Sequence, residues 1–411
     1  EIYGIFEDHE EGLWFPTTDR GLLRLSAGWR NFSTFRHDAD DVKTLSGNLV
    51  YSASEADDNV VWLVSGDSLD RINLIQGSVE RVLENTENWT TQVWSVLQSR
   101  NGSVWLGHSK GLTRFEPRTG LLKHFSNEEQ ISEALPGAIH LLIQTNDGLI
   151  WSSSYGGGIE ARDDSGLLVH RIVPADNKGL NSTEPDQFVL SPDSDLWIST
   201  AEGLLRWMDK EQKFTVIAGS PAERVEAFCF LSKGIVWVHH NTVLEEFQWD
   251  GKELKSLHRV TSGDGLPSLE VGSILPGSNG NLWLTTPRGL LRYNTLTNQF
   301  RMFGERDGLP SQEFDMQPGL LTSEGLALVG TSKGLVIFDP ARISSQSNLS
   351  PLVIDEISAR RGEDKIKFLE NSTILDLQPN DRDLRVSLRF LSFDDATTHR
   401  YHFLLKGYDP G

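Results

Sequence analysis

The chain has 411 residues with 38 basic and 58 acidic side chains, which gives a formal net charge of −20. This charge disfavours nucleic acid and an anionic membrane surface as partners, because both repel a polyanion. The sequence contains no run of 18 apolar residues that would predict a membrane-spanning helix, and its first residues are not typical of a signal peptide. The single cysteine, Cys229 in "AFCFLS", rules out an internal disulfide and is expected to be a small buried side chain.

Eight related segments follow one another along the chain. They are "EGLWFPTTDRGLLRL" (from Glu11), "NVVWLVSGDSLDRI" (Asn59), "GSVWLGHSKGLTRF" (Gly102), "GLIWSSSYGGGIEA" (Gly148), "SDLWISTAEGLLRW" (Ser194), "GIVWVHHNTVLEEF" (Gly234), "GNLWLTTPRGLLRY" (Gly280) and "GLALVGTSKGLVIF" (Gly325). Seven segments carry a tryptophan at one anchor position, the eighth has Leu328 there, and consecutive anchors are 40 to 48 residues apart. Such a period suits a four-stranded propeller blade or a pair of helices.

Strand character decides between these two folds. In residues 93–126, short apolar runs such as "VWSVLQS" and "SVWLGHS" alternate with Asn, Gly and Pro turns, which is typical of strands joined by hairpins. The sequence therefore predicts an all-β fold, a β-propeller of four-stranded blades over residues 1–350. Seven blades are favoured, with the first repeat (1–44) belonging to a neighbouring propeller, and eight blades in one ring are the alternative.

The recurring residues of each repeat are expected to be scaffold. Each anchor tryptophan is predicted to fill the space between neighbouring blades, because a large flat side chain removes much apolar surface from water there. A glycine six residues after the anchor suits a hairpin that needs positive φ. These glycines are Gly111, Gly157, Gly203, Gly289 and Gly334.

The last sixty residues break the period. After the linker "SSQSNLS", residues 351–411 alternate as longer strands with charged turns and are predicted to begin a β-sandwich. Three or four strands are too few to complete such a sandwich. The chain is therefore expected to be a piece of a longer protein, and the last strands to be less protected than the blades.

The repeats resemble the two-component regulator propeller repeats of bacterial sensor proteins. The resemblance rests on "LWLTTPRGLLRY", "VWLGHSKGLTRF", the spacer "FRHDADDVKTLSGN" and the closing segment "FGERDGLPSQEFD" with "GLALVGTSKGLVIFDPARI". The tail "RYHFLLKGYDPG" resembles the start of the triple-tyrosine β-sandwich that follows such propellers. The chain departs from the family by having eight repeats where about fourteen are common, and by containing no membrane span or output domain.

The resemblance implies a function as well as a fold. It implies a periplasmic sensor region without enzymatic activity or cofactor, which binds a small molecule or glycan fragment. The sandwich would transmit the signal to a cytoplasmic histidine kinase or diguanylate cyclase in a membrane-spanning parent protein, and a homodimer is compatible with this. Two alternatives stay open. A propeller lyase or glycosidase would place histidines and carboxylates at the channel mouth, and a protein-interaction propeller would expose an apolar patch.

Candidate binding residues come from positions that vary between repeats. No common catalytic or metal-binding motif is present, and the adjacent His239 and His240 should point to opposite faces of a strand, one buried and one solvated. In a propeller, the hairpin after the anchor strand and the links between blades emerge on one face. This face is predicted to carry the ligand site, with Arg20, Asp67, His108, Tyr155, Glu202, His240, Arg288 and Lys333 at the hairpins. Trp89 in a link is either a sugar-stacking side chain or a residue that packs its loop.

Overall fold

The computed structural model describes most of the chain. The described residues are 1–56, 59–83, 91–126, 135–180, 182, 184–314, 319–343, 351–368, 375–393, 401, 404 and 406. They fall into two compact units, one formed by Trp29–Ile343 and a smaller one formed by Glu1–Gly28 together with Ser344–Gly411.

The smaller unit begins with a three-stranded sheet of β1 (Phe6–Glu7), β2 (Leu13–Pro16) and β3 (Leu22–Leu25). The first part of the first repeat therefore supplies this sheet. The prediction favoured from the sequence was a seven-bladed ring that leaves out the first repeat (1–44). The indole Nε1 of Trp14 donates to Asp8 Oδ2 at 2.7 Å, and Arg24 pairs with both Asp8 and Glu10. Phe393 packs edge-on against Trp14, so residues from the beginning and the end of the chain meet within this unit.

The larger unit contains seven four-stranded antiparallel sheets among its described residues, and this confirms the all-β propeller class. The first strand in this unit is β4 (Phe32–Phe35). Blade 1 contains β5 (Val50–Glu55), β6 (Val60–Ser65), β7 (Ser68–Asn73) and β8 (Ser78–Leu83); blade 2 contains β9 (Val93–Gln98), β10 (Val104–His108), β11 (Gly111–Glu116) and β12 (Leu121–Ser126); blade 3 contains β13 (Ile139–Gln144), β14 (Ile150–Ser154), β15 (Gly158–Arg162) and β16 (Leu168–Ile172).

The remaining blades repeat this order. Blade 4 contains β17 (Gln187–Leu190), β18 (Leu196–Thr200), β19 (Gly203–Met208) and β20 (Lys213–Val216); blade 5 contains β21 (Val225–Ser232), β22 (Ile235–His240), β23 (Val243–Trp249) and β24 (Leu254–Val260); blade 6 contains β25 (Ser273–Pro276), β26 (Asn281–Thr286), β27 (Gly289–Asn294) and β28 (Gln299–Phe303); blade 7 contains β29 (Leu320–Leu321), β30 (Ala327–Thr331), β31 (Gly334–Phe338) and β4. Short 3₁₀ helices cover Ala27–Asn31, Pro174–Asp176, Ser262–Asp264 and Glu305–Asp307.

Blade 7 is completed by a strand from the start of the larger unit. Its fourth strand is β4, which pairs with β31 through Phe32 opposite Phe338 and Phe35 opposite Leu335. Blade 7 also packs on blade 1, because Leu328 shares a buried cluster with Val50. The first and last blades are therefore joined, and the first repeat is divided between the two units.

The six anchor tryptophans of the larger unit lie between neighbouring blades, as predicted, whereas the seventh, Trp14, lies in the smaller unit. Trp283 of blade 6 is fully buried and lies 4.9 Å, between ring centroids, from Phe338 of blade 7. Trp197 of blade 4 lies 4.9 Å from Trp249 of blade 5 in an edge-on contact. In both places an anchor presents a large aromatic surface to an aromatic ring of the blade that follows.

The hairpin glycines adopt positive φ in four of the five predicted places, for example Gly289 at 136°. In blade 3 the positive-φ residue next to the strand is Gly158 at 100°, so the prediction for Gly157 was wrong. Ser154 pairs with Gly158, which leaves a loop of three residues, whereas His108 pairs with Gly111 across two. Because the loop is one residue longer, positive φ is required at Gly158 instead of Gly157.

The rest of the smaller unit includes a second three-stranded sheet. It consists of β32 (Leu352–Arg361), β33 (Asp364–Phe368) and β34 (Asp381–Phe390), in the order β33-β32-β34. Most of its side chains are exposed or half-buried. The predicted strands are present here. That they begin a triple-tyrosine β-sandwich stays a prediction from the sequence.

Candidate functional site

The first strands of neighbouring blades contact one another and therefore surround the propeller axis. Several of them begin with a β-bulge. In β13, Ile139 pairs with Ser154 and Leu141 with Ser153, so His140 is the extra residue. The pairing of β21 skips Glu226 in the same way. Because a bulge changes the direction of a side chain, it can aim the residue into the channel instead of into the sheet.

This position recurs around the axis with the period of the repeats. Tyr51 of β5 and Trp94 of β9 are also skipped in the pairing of their strands. Each of these residues lies eleven positions before the anchor of its repeat, and so do Asp186 and Gly272. We call this set the channel ring: Tyr51, Trp94, His140, Asp186, Glu226 and Gly272. The sequence contained this signal, because these six positions differ strongly in chemistry while the anchors do not.

A cavity of about 320 Å³ opens on blades 3 to 6. Four channel-ring residues line it, together with the hairpin residue Tyr155 and the links that precede β17, β21 and β25. The hairpin of blade 3 and these links therefore lie on the same face, in agreement with the strand order. The volume lies at the small end of the range for small-molecule sites. Its charged lining residues are Glu184, Asp186, Arg224, Glu226 and Glu270.

His140 and Tyr155 form one wall of the cavity. Their rings are stacked, with centroids 3.9 Å apart and planes 12° apart. His140 is buried, and its Nε2 donates to the carbonyl oxygen of Pro185 at 3.1 Å. Burial lowers the pKa of His140, so the imidazole is neutral at pH 7. Tyr155 is 45% exposed, which leaves part of its aromatic surface open.

Asp186 and Arg224 form an ion pair at the cavity. Arg224 Nη2 donates to Asp186 Oδ1 at 2.6 Å and Arg224 Nε donates to Oδ2 at 3.3 Å, which is the two-point geometry of a guanidinium and a carboxylate. The hydrogen bond to Asp186 raises the pKa of Arg224. The guanidinium that lines the cavity is thus already engaged by a carboxylate.

Glu226 is held by hydrogen bonds from two blades. His239 Nδ1 donates to Glu226 Oε2 at 2.9 Å, and the backbone N–H of Val271 donates to the same oxygen at 3.1 Å. Burial alone would raise the pKa of Glu226, but the hydrogen bonds from His239 and Val271 lower it overall. The carboxylate is therefore charged at neutral pH, and its direction in the cavity is fixed.

His239 lies beneath the cavity and not in it. It is fully buried, and its Nε2 has no hydrogen-bond partner among the described residues. Its Nδ1 fixes the direction of the Glu226 carboxylate. His239 is therefore a positioning residue that holds a cavity carboxylate in place.

His240 belongs to a separate polar cluster. Its Nδ1 lies 2.7 Å from Glu223 Oε1 and its Nε2 lies 2.9 Å from Glu245 Oε2. The two adjacent histidines engage different carboxylates, which agrees with strand alternation. The expectation that one of them is solvated was wrong, because both are buried. In the described ranges, no group of three or more His, Cys, Asp or Glu is placed to hold a metal ion.

The predicted hairpin residues lie in different surroundings. Tyr155 lines the cavity. His108 lies in blade 2, outside the cavity lining of blades 3 to 6, and is buried with its Nε2 2.8 Å from Thr113 Oγ1. Arg20 lies in the smaller unit, and Trp89 lies outside the described residues. The exposed hairpin residues that do not line the cavity are Asp67, Glu202, Arg288 and Lys333.

Cys229 is a buried free thiol, as predicted. Burial raises its pKa to about 12. A thiol with so high a pKa is not a nucleophile at neutral pH.

Similar proteins support the resemblance drawn from the repeats. A curated relative, "Histidine kinase P4" of Formosa agariphila, is 23% identical over 414 residues, which cover 92% of this chain and 29% of that protein. The extracellular domain of a proposed hybrid two-component system from B. thetaiotaomicron has a TM-score of 0.68 at 19% identity, over 90% of this chain and 50% of that chain. The chain thus spans less than a third of the curated relative and half of the solved domain. No protein-family model matches the chain.

The same fold also occurs in an enzyme. Virginiamycin B lyase from Staphylococcus aureus has a TM-score of 0.55 at 15% identity, over 75% of this chain and 98% of that chain. Identities this low establish the propeller fold, and the chemistry of the cavity has to carry any functional argument. Among the described residues, no helix is long and apolar enough to cross a membrane.

Proposed function

We propose that this chain is the extracytoplasmic ligand-sensing region of a bacterial signal-transduction receptor and that it binds a small neutral glycan in the cavity on blades 3 to 6. The observation that carries the proposal is the convergence of His140, Tyr155, Asp186 and Glu226 around one small opening. A pocket with an aromatic surface and a few fixed polar groups is the usual form of a small-molecule site. The similarity to extracellular sensor domains supports the extracytoplasmic placement.

The charge of the cavity selects the class of ligand. Four carboxylates and one guanidinium are among its described lining residues, and that guanidinium is paired with Asp186. His140 adds no positive charge at neutral pH because burial lowers its pKa. An anionic sugar would be repelled, whereas hydroxyl groups can donate to the carboxylates. The open surface of Tyr155 suits the apolar face of a sugar ring.

The output of the receptor follows from the similar proteins. We propose that binding is transmitted through the smaller unit to a cytoplasmic histidine kinase, since the curated relative is a histidine kinase much longer than this chain. The sheet of β32, β33 and β34 would transmit the binding signal further, because it follows the propeller in the sequence.

A thermal-shift screen tests the proposed ligand class. Neutral sugars are compared with sulfated and uronic acid sugars. Binding is detectable in this way because a ligand present at a hundred times its Kd adds about 2.7 kcal/mol to stability. We expect stabilisation by a neutral sugar, and its loss in Tyr155→Ala. Asn279→Gly is the control, since Asn279 lies outside the cavity lining and its φ of 55° is one that glycine adopts readily. Stabilisation by anionic sugars alone would contradict the proposal.

A propeller enzyme is the second candidate function. It is favoured by one observation, the Glu226 carboxylate held by His239 at the cavity, where an acid–base group would be needed. Incubating the protein with each sugar that binds and separating the products decides between the two. A sensor returns the sugar unchanged, whereas a lyase or glycosidase gives products that disappear in Glu226→Gln.

A further inference from the structure

We infer that the cavity is one half of a longer site and that Tyr51 and Trp94 form a second subsite, which stacks on a further sugar ring of an oligosaccharide. This inference rests on the proposed function and extends it from a single ring to a chain of sugars. It assigns ligand contacts on blades 1 and 2, which the cavity does not reach.

The first argument is the position of the two aromatic residues. Both are skipped in the pairing of their strands, as His140 and Glu226 are. Both lie eleven residues before the anchor of their repeat, at the position that in blades 3 to 6 lines the cavity. Since the blades repeat, the same backbone geometry directs Tyr51 and Trp94 towards the channel.

The second argument is continuity with the cavity. The first strands of blades 2 and 3 are in contact, and Ser95 Oγ donates to the carbonyl oxygen of Ile139 at 3.2 Å. These residues are the direct chain neighbours of Trp94 and His140. The aromatic subsite therefore begins on the blade next to the cavity wall, and one ligand can cross the boundary between the two blades.

The third argument is the chemistry of the pair. The rings of Tyr51 and Trp94 have centroids 5.1 Å apart and planes tilted by 57°, so together they form an angled aromatic surface. Both residues are half-buried, whereas the anchor Trp105 is fully buried. An aromatic ring that is not enclosed by the blades retains a face for a ligand. Channel-ring carboxylates in blades 4 and 5 and aromatic residues in blades 1 and 2 fit a neutral sugar chain with polar edges and apolar faces.

The test compares affinities for sugars of increasing length. Glucose, cellobiose and cellotetraose, and the corresponding mannose and xylose series, are titrated calorimetrically into the full chain. We expect at least one series in which affinity rises with length, and in which Trp94→Ala or Tyr51→Ala weakens the tetrasaccharide at least tenfold and the monosaccharide less than twofold. Tyr3→Ala is the matched control, because Tyr3 is 72% exposed in the smaller unit.

The outcomes separate this inference from the proposed function. If sugars bind but both aromatic variants retain the tetrasaccharide affinity, or lose the affinity for every length equally, the second subsite is wrong and the cavity proposal stands. If no sugar of the three series binds to the wild-type chain, the proposed function fails for these sugars and the inference fails with it. Should Trp94→Ala not fold, Trp94→Phe and Tyr51→Ala are measured instead, and an unchanged length dependence in both overturns the inference.

Discussion

The imidazole of His239 and the carboxylate of Glu226 are joined by a hydrogen bond of 2.9 Å between Nδ1 and Oε2. The histidine belongs to the second strand of blade 5 and the glutamate to the bulge of its first strand. The backbone N–H of Val271, in the link before blade 6, donates to the same carboxylate. The Glu226 carboxylate therefore lines the cavity and also connects blade 5 to the link before blade 6.

Stability should respond to the titration of Glu226. Its pKa is lowered in the folded state, so its contribution is present above the ordinary value of 4.5 and is lost as the pH falls through the lower folded value. We expect Glu226→Gln to lose stability at neutral pH and to depend less on pH below 4.5 than the wild type. Urea denaturation at pH 7, 5, 4 and 3 measures this, and parallel curves for the two proteins would contradict it.

His108 should give a separate pH dependence at higher pH. Burial lowers its pKa to about 4, and the neutral imidazole is bonded to Thr113. Its contribution is therefore complete above the ordinary value of 6.5 and is lost as the pH falls from 6.5 to 4, by an amount on the order of 3 kcal/mol. We expect His108→Gln to flatten the stability curve in this window. Histidine NMR titration provides an independent check, because a pKa near 6.5 would refute the assignment.

Truncation of an anchor tryptophan should be severe. Trp105 and Trp283 are fully buried between blades, so replacement by alanine leaves a large cavity. We expect each to cost about 3–5 kcal/mol of unfolding free energy. Tyr155→Ala is the comparison, because its half-exposed ring leaves no such cavity and its cost should stay below about 1 kcal/mol. Chemical denaturation measures all three, and small losses at both tryptophans would contradict the inter-blade role.

The propeller class could be predicted from the sequence because the repeats recur every 40 to 48 residues, which is the length of a four-stranded blade. The anchor tryptophans, the turn glycines and the short strands each recur, and each follows from local sequence. The closure of blade 7 by β4 was not predictable, since "FSTF" pairs with a strand from the far end of the larger unit and carries no local signal of its partner. The contacts of Trp14 with Asp8 and Phe393 were also not predictable, because they are made only in the folded chain.

Part of the candidate site could be predicted from the sequence. Strand order alone determines where hairpins and links emerge, and Tyr155 lies beside such links in the cavity lining. His108 and His240 were chosen from the same positions, but they are buried with hydrogen bonds to Thr113 and Glu245, and such partners cannot be read from the repeat pattern. Glu226 was missed, although it lies eleven residues before the anchor Trp237, which is the spacing shared by the channel ring.

The terminal sheet should exchange its amide hydrogens faster than the blades. The strands β32 and β34 are mostly exposed or half-buried, whereas the second strand of blade 2 is buried throughout. Local opening of a sheet with little buried apolar surface costs less free energy. We expect hydrogen exchange with mass spectrometry to show lower protection for β32 and β34 than for β10 and β11. Equal protection would mean that this sheet is supported by another surface.

The closing strand should contribute strongly to the stability of the propeller. Phe32 of β4 is buried, and its ring lies 5.6 Å, between centroids, from both Phe303 of blade 6 and Phe338 of blade 7. We expect Phe32→Ala to cost about 3–5 kcal/mol in chemical denaturation, because it empties a site enclosed by two blades. Phe6→Ala is the matched control, since Phe6 is 65% exposed in the smaller unit and its loss should cost less than about 1 kcal/mol. Equal costs for the two variants would show that β4 does not hold blade 7 in place.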